Sequence, residues 1–367
     1  MRTIAVDAPY GQGGVGQHFA QLVEATRRAG ELRRYYALAV REEDPKGKTV
    51  ALNTYGLLRY TPLRFSPAWK SYLLGELFDR KVAARLTRPL DRYMGFVGRT
   101  LRSFDRAATL GADTLELVAV NSHVDNLRRL HEQADRDWGF GDSWLNGPQR
   151  RKTLREYERA DVIYVHSAYT RRSFLDGGVA PEKLERTYLH VDPRFVPPDE
   201  RSDEGPFHVV YVGRVDATKG IPLLLEAFAH MRTTPRRLTI VGSWSTRGMR
   251  RYLQQRMRED DRIRVAPGDP LPVLHEADVF VHPSYEDGLG YAPMEALACG
   301  VPVIVTEDTG MKEYVEEGEN GYVVPTGDWH AIVDRLNAIA ERGTLRARAH
   351  SLLPAYAPTA ADDLFVH

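Results

Sequence analysis

The chain reads as an α/β protein of two domains, and three observations carry that expectation. Its 367 residues, 43% of them hydrophobic, suffice for two cores of ordinary domain size. Short apolar runs recur along it, each followed by apolar residues at helical spacing, which is the pattern of parallel strands alternating with helices. That pattern stops at a polar, proline-bearing stretch, 197–206, and restarts with Val209-Val210-Tyr211-Val212. The expected division is a first domain over 1–196, a linker over 197–206, a second domain over 207–345 and a C-terminal segment over 346–367.

Residues 3–7 form the first expected strand. Gly11-Gln12-Gly13-Gly14-Val15-Gly16 follows, and Phe19, Leu22 and Val23 then share one helical face. Such a glycine loop lets backbone approach a ligand closely. The literal G-x-G-x-x-G, with Glu42 and Glu43 after a second strand at 36–40, also fits a nicotinamide-dependent dehydrogenase. Ala8-Pro9-Tyr10 makes the turn longer than that motif prefers. Over 59–102 the chain carries ten Lys or Arg against three Asp or Glu, with Trp69, Tyr72, Leu73, Leu77 and Phe78 at helical spacing. Two readings stay open there: an amphipathic helix with a solvated basic face, or a helix that docks acceptor or anionic membrane.

A strand at 115–120 ends in Asn121-Ser122-His123. Asp135-Arg136-Asp137 has a bare D-x-D spacing, but it lies in a charged stretch that does not directly follow an apolar strand, so it reads as surface. After the linker, Val212-Gly213-Arg214 closes a buried strand, and Lys219-Gly220 precedes a helix through Leu223 and Phe228. Arg214 and Lys219 thus bracket one loop, a planar fork and a point charge where a diphosphate fits. Strands follow at 238–242, 263–265 and 279–281. The last of these feeds His282-Pro-Ser-Tyr-Glu286-Asp287-Gly288-Leu289-Gly290-Tyr291, and a helix around Met294 and Glu295 ends at Cys299-Gly300-Val301-Pro302. A glycine loop at a helix start, framed by carboxylates, suits a ligand both anionic and rich in hydroxyls, as a nucleotide-sugar is.

These words resemble a known family. Pro283-Ser-Tyr-Glu-Asp-Gly-Leu-Gly followed by Met294-Glu-Ala-Leu-Ala-Cys-Gly-Val-Pro is similar to the E-x7-E region of the retaining glycosyltransferases of family 4. Val212-Gly-Arg and Lys219-Gly resemble that family's diphosphate motif, and Leu189-His-Val-Asp-Pro stands where the family has Asn-Gly-Val-Asp-Pro. Where the family has the first Glu, spacing puts Asp287, with Glu286 beside it. The resemblance implies the GT-B fold, two Rossmann-like α/β domains facing across a cleft, and transfer of a hexosyl group from a UDP- or GDP-linked sugar with retention of configuration. It implies that Arg214 and Lys219 hold the leaving diphosphate, with backbone donors from Gly288, Leu289, Gly290 and Tyr291. It places Asp287 or Glu286 on the donor sugar, Glu295 on the ribose, His123 beside the reacting carbon, and Gly13 and Gly14 near donor phosphate and acceptor. It also implies no metal ion and no cofactor, since the nucleotide-sugar is a substrate, and an acceptor that is a glycan, a lipid-linked sugar or a small molecule. A nucleotide-sugar epimerase of the same fold, the dehydrogenase and a non-catalytic nucleotide-sugar-binding subunit are the competing expectations.

Composition narrows the rest. Fifty basic and fifty acidic residues cancel, so no global field argues for nucleic acid. The single cysteine, Cys299, excludes an internal disulfide and fits a reducing compartment. No signal-like segment and no apolar run near the ~20 residues of a spanning helix is present, so the expectation is a cytoplasmic protein, touching the inner face of the membrane if 59–102 docks there.

Overall fold

A computed structural model describes residues 1–52, 61, 63, 66–200 and 205–342. The expected C-terminal segment, 346–367, lies outside the described residues, as do parts of the basic stretch and of the linker. The chain divides into two compact units. Among the described residues, unit 1 holds 1–128 and 144–189, and unit 2 holds 129–143 and those from His190 to Arg342.

In unit 1 seven strands form one sheet: β1 (Arg2–Ala5), β2 (Leu32–Ala37), β3 (Gly47–Thr49), β4 (Arg92–Phe96), β5 (Thr114–Ala119), β6 (Val162–Val165) and β7 (Leu184–Arg186). Their order is β3-β2-β1-β4-β5-β6-β7, and every pair is parallel. Because a parallel sheet is covered on both faces, alternate residues of one strand enter different cores. Ile4, Met94 and Val118 pack with Phe19, Leu22 and Val23 of α1 (Gly13–Arg28). Ala5, Tyr93 and Leu117 pack on the other face with Phe78 of α2 (Pro67–Ala83), Phe104 of α3 (Leu101–Thr109) and Tyr157 and Phe174. Each of these buried aromatics contributes about 1.5–3 kcal/mol by leaving water. β2 starts at Leu32, before the apolar run that suggested a strand at 36–40. Its early residues are polar yet extended, and Arg33 spends its guanidinium on the carbonyls of Thr87 (2.7 Å) and Arg88 (2.9 Å).

Three further helices belong to this half of the sequence: α4 (Val124–Trp138), α5 (Gly147–Arg159) and α6 (Ala168–Asp176). The division between units falls inside α4. Its last turns carry Leu130 and Ala134 into the hydrophobic core of unit 2.

Unit 2 has six parallel strands: β8 (Phe207–Val212), β9 (Arg236–Val241), β10 (Ile263–Val265), β11 (Val279–His282), β12 (Val303–Thr306) and β13 (Gly321–Val324). They run β10-β9-β8-β11-β12-β13. The order reverses between β8 and β11, which pair through Val209 with Val279 and Val210 with Phe280. In open α/β sheets a ligand sits beyond the carboxyl ends of the two strands at such a reversal. The helices are α7 (Ile221–His230), α8 (Arg247–Glu259), α9 (Leu271–His275), α10 (Tyr291–Ala298) and α11 (Trp329–Arg342). α7 is apolar on nearly every side, and α11 packs along it, so the sheet side and the outer side of α7 are both covered. No helix among the described residues is long and apolar enough to cross a membrane.

Candidate active site

The reversal point of unit 2 is framed by two loops, one after β8 and one after β11. In the first, Asp216 is fully buried and collects four donors. Its Oδ1 accepts the Thr218 hydroxyl (2.7 Å) and the Lys219 N–H (2.9 Å), and its Oδ2 accepts the Ser245 hydroxyl (3.0 Å) and Nε of Arg214. Burial by itself would raise the carboxyl; the Arg214 charge, the Thr218 hydroxyl bond and Lys219 overcome it and hold the group below the usual range. The loop is therefore wound around one anion, and Arg214, its side chain 43% exposed, is aimed by that anion toward solvent. Tyr211 fixes the loop's start by donating to the Arg214 carbonyl (2.8 Å). Asp142, on the 129–143 segment, holds its middle by accepting the Ala217 N–H (2.9 Å) while also taking the Thr246 hydroxyl (2.7 Å).

The second loop carries the carboxylates. Asp287 Oδ2 accepts from Lys219 Nζ at 2.8 Å and from His282 Nε2 at 3.1 Å. Burial would raise this carboxyl too, and the Lys219 and His282 contacts push it far below the usual range. Lys219 Nζ also reaches the Glu286 carbonyl at 3.1 Å, so the ammonium is held by both residues of the Glu286-Asp287 pair. The Glu286 side chain itself is buried, while that of Asp287 keeps 18% of its surface exposed. Gly288 and Leu289 are buried, Gly290 starts α10 at φ +89°, and Tyr291 opens the helix half-buried. Glu295, on the next turn of α10, is buried, and its carboxyl is pushed up to about 7 by burial, against the pull of Arg194. Cys299 at the helix end is buried with its thiol pushed up, so it is not a nucleophile at neutral pH.

Nine of the twelve residues singled out from sequence thus lie on these two loops and α10. The other three lie in unit 1. Gly13, at φ +63°, and Gly14 are exposed at the start of α1. His123 follows β5, is buried, and packs its ring against Tyr157 (5.1 Å) and Phe174 (5.5 Å). Its Nδ1 accepts the Asp125 N–H at 3.3 Å, which caps α4, and burial lowers its basicity. Asp135 and Asp137 are exposed on α4; Asp135 takes the Gly141 N–H (2.6 Å) and Asp137 the Tyr285 hydroxyl (2.6 Å).

Four groups that organise the site escaped the reading of the sequence. Asp216 had a signal, a lone carboxylate between the Arg and the Lys of one short loop. His282 had one as well, a histidine closing an apolar strand. Asp142 and His131 had none: the partners of Asp142, Ala217 and Thr246, lie far along the chain, and His131 sits in a continuous helical pattern. His131 is buried, hydrogen-bonds Ser143 (3.0 Å), and is pushed down to about 3 by burial and then by Arg214, so it stays neutral beside the loop's cations.

Residues 194–351 match the model of the family described as glycosyl transferases group 1. The fold is of the GT-B type, built of two Rossmann-like α/β units. Over 219 residues the chain is 33% identical to the GDP-mannose-dependent alpha-(1-6)-phosphatidylinositol monomannoside mannosyltransferase of Mycolicibacterium smegmatis, covering 52% of this chain and 56% of that one. The chain spans about half the length of the curated relatives it matches. Among solved structures it resembles sucrose-phosphate synthase from Thermosynechococcus elongatus, with a TM-score of 0.76, 20% identity, and 97% and 95% of the two chains covered. It also resembles Anabaena HepE in complex with UDP and glucose, with a TM-score of 0.68, 17% identity, and 100% and 95% covered.

Proposed function

We propose that the chain transfers a hexosyl group from a UDP- or GDP-linked sugar to a glycan, lipid-linked or small-molecule acceptor, with retention of configuration. The observation that carries this reading is Lys219 Nζ, held by Asp287 and the Glu286 carbonyl on the loop that also bears Arg214. Two cations on the β8 loop and a carboxylate on the β11 loop meet the two halves of a nucleotide-sugar, its diphosphate and its hydroxyls. As the bond to the sugar breaks, charge grows on the leaving diphosphate, and Arg214 and Lys219 stabilise that state more than the bound donor. Asp287 then holds a sugar hydroxyl, Glu295 the ribose hydroxyls, His123 a hydroxyl beside the reacting carbon, and Gly13 and Gly14 serve donor phosphate and acceptor. The match to a glycosyltransferase family over 194–351 and the UDP-and-glucose complex of a structural neighbour support the donor class.

The direct test is to screen nucleoside diphosphates and their sugars by thermal shift, then to follow donor hydrolysis and transfer. A ligand at a hundred times its Kd raises stability by about 2.7 kcal/mol. Nucleotide binding with neither hydrolysis nor transfer would point to a binding subunit instead. The two cations make a divalent ion unnecessary in this scheme, so a chelator should leave the rate unchanged. Loss of transfer with a chelator and recovery with magnesium would overturn that part.

Glu295 gives the pH dependence. Its carboxyl holds a proton up to about 7 in the folded chain, against an ordinary value of 4.5. Between those values the native state binds more protons than the unfolded one, so the group's contribution to stability is full below the lower value and lost as pH rises through the upper. A ribose hydroxyl is best accepted by the ionised form. Nucleoside diphosphate affinity should therefore rise about tenfold from about pH 6 to pH 8, relative to Glu295→Gln measured in parallel, by calorimetry. Matching profiles for the two proteins would remove Glu295 from the ribose site.

A further inference from the structure

In unit 1, helices α2, α3 and α5 line an open pocket of about 320 Å³, a size found among small-ligand sites. Four cations line it, Arg102, Arg151, Lys152 and Arg155, against two acids, Glu76 and Asp105. Both acids are already engaged. Glu76 takes Lys152 at 2.7 Å and Arg102 at 2.9 Å, and Asp105 takes Arg159 at 3.0 Å. Lys152, its side chain only 5% exposed, is held also by the buried Asp79 at 3.0 Å, which caps α3 through the N–H groups of Arg102 and Ser103. Among the described residues, Arg151 and Arg155 have no ion pair and no side-chain hydrogen bond, although both are exposed at the cavity.

That arrangement works against the helix that carries it. Arg151 and Arg155 are four residues apart on α5, where like charges repel. A bound anion would offset that repulsion, and two guanidinium forks beside Tyr72 suit a group with several acceptor oxygens and a sugar ring attached.

We propose that this cavity is an anion-binding site for a phosphate-bearing group of the acceptor, held by Arg151 and Arg155 over the Lys152–Glu76–Asp79 floor. The assignment to an acceptor rests on the transfer reading above; the binding of phosphate does not. The test is calorimetric titration of inorganic phosphate, at low salt, into Lys219→Gln protein, so that the loop of unit 2 does not compete. Phosphate should bind, and Arg151→Gln with Arg155→Gln should weaken it about tenfold or more, while Arg171→Gln, on the exposed side of α6, has no effect. Unchanged melting of the variants shows that they fold. Equal phosphate affinity with and without the two arginines overturns the proposal, and so does an absence of binding.

Phosphatidylcholine vesicles with and without phosphatidylglycerol separate the two sources of phosphate. Cosedimentation that needs both phosphatidylglycerol and the two arginines assigns the site to a lipid-linked phosphate, and phosphate binding without cosedimentation assigns it to a soluble one. Nucleoside diphosphate titration of the native protein tests the transfer reading by itself, so a failure there and a failure at this cavity are distinguishable.

Discussion

Lys219→Gln should lower turnover by about 10²–10³-fold while weakening nucleoside diphosphate binding far less. The amide stem is shorter, but the backbone N–H that Asp216 accepts is kept, so the loop retains its winding. What is lost is the positive charge facing the leaving group, and a single preorganised donor to a growing oxyanion is worth about that factor. The loss falls on kcat because the charge it neutralises grows during the reaction. Lys219 also neutralises Asp287, which would be left with His282 alone. Asp287→Asn combined with Lys219→Gln should therefore cost less than the product of the single effects, as contacting residues do. Steady-state kinetics on the four proteins measures this. Equal losses in nucleotide affinity and in turnover would make Lys219 a ground-state contact, and a multiplicative double variant would mean that the ion pair does not persist with donor bound.

Strands of unit 2 were legible because parallel strands are buried on both faces and read as unbroken apolar runs, as Val209 to Val212 and Val279 to Val281 do. Loop chemistry was legible where partners lie close in sequence: Arg214 and Lys219 belong to one turn, and Asp287 to Glu295 is one helix start. The start of β2 was hidden because a strand needs only backbone pairing and extended angles, and Arg33 and Arg34 carry no apolar signal. The membership of 129–143 in unit 2 was hidden for a different reason. α4 shows one continuous helical pattern, and nothing in that periodicity says that Leu130 and Ala134 enter another core, or that Asp142 will meet Ala217 seventy-five residues on. His123 shows the same difficulty at a single side chain. Its place after β5 was readable, but its packing against Tyr157 and Phe174 depends on α5 and α6.

The largest stability effect is expected at Gly220. It begins α7 at φ +73°, and a Cβ there would stand 1.9 Å from the Pro283 carbonyl oxygen and 2.6 Å from its carbon. Two costs add in Gly220→Ala. Left-handed backbone costs an L side chain about 1–2 kcal/mol, and forcing a methyl against fixed backbone adds about 1–3. Pro283 cannot retreat freely, because Tyr285 donates to the Thr218 carbonyl at 2.9 Å and ties the same two loops together. Urea denaturation should therefore show a loss of about 2–5 kcal/mol. Gly111, at φ +86° with open space where a Cβ would go, isolates the conformational part, and Gly111→Ala should cost only about 1–2 kcal/mol. If the two substitutions cost the same, the loops part without resistance and the close approach does not hold the site together. If Gly220→Ala costs more, the same displacement moves Lys219 relative to Asp287, and turnover should fall even at temperatures where the variant is fully folded.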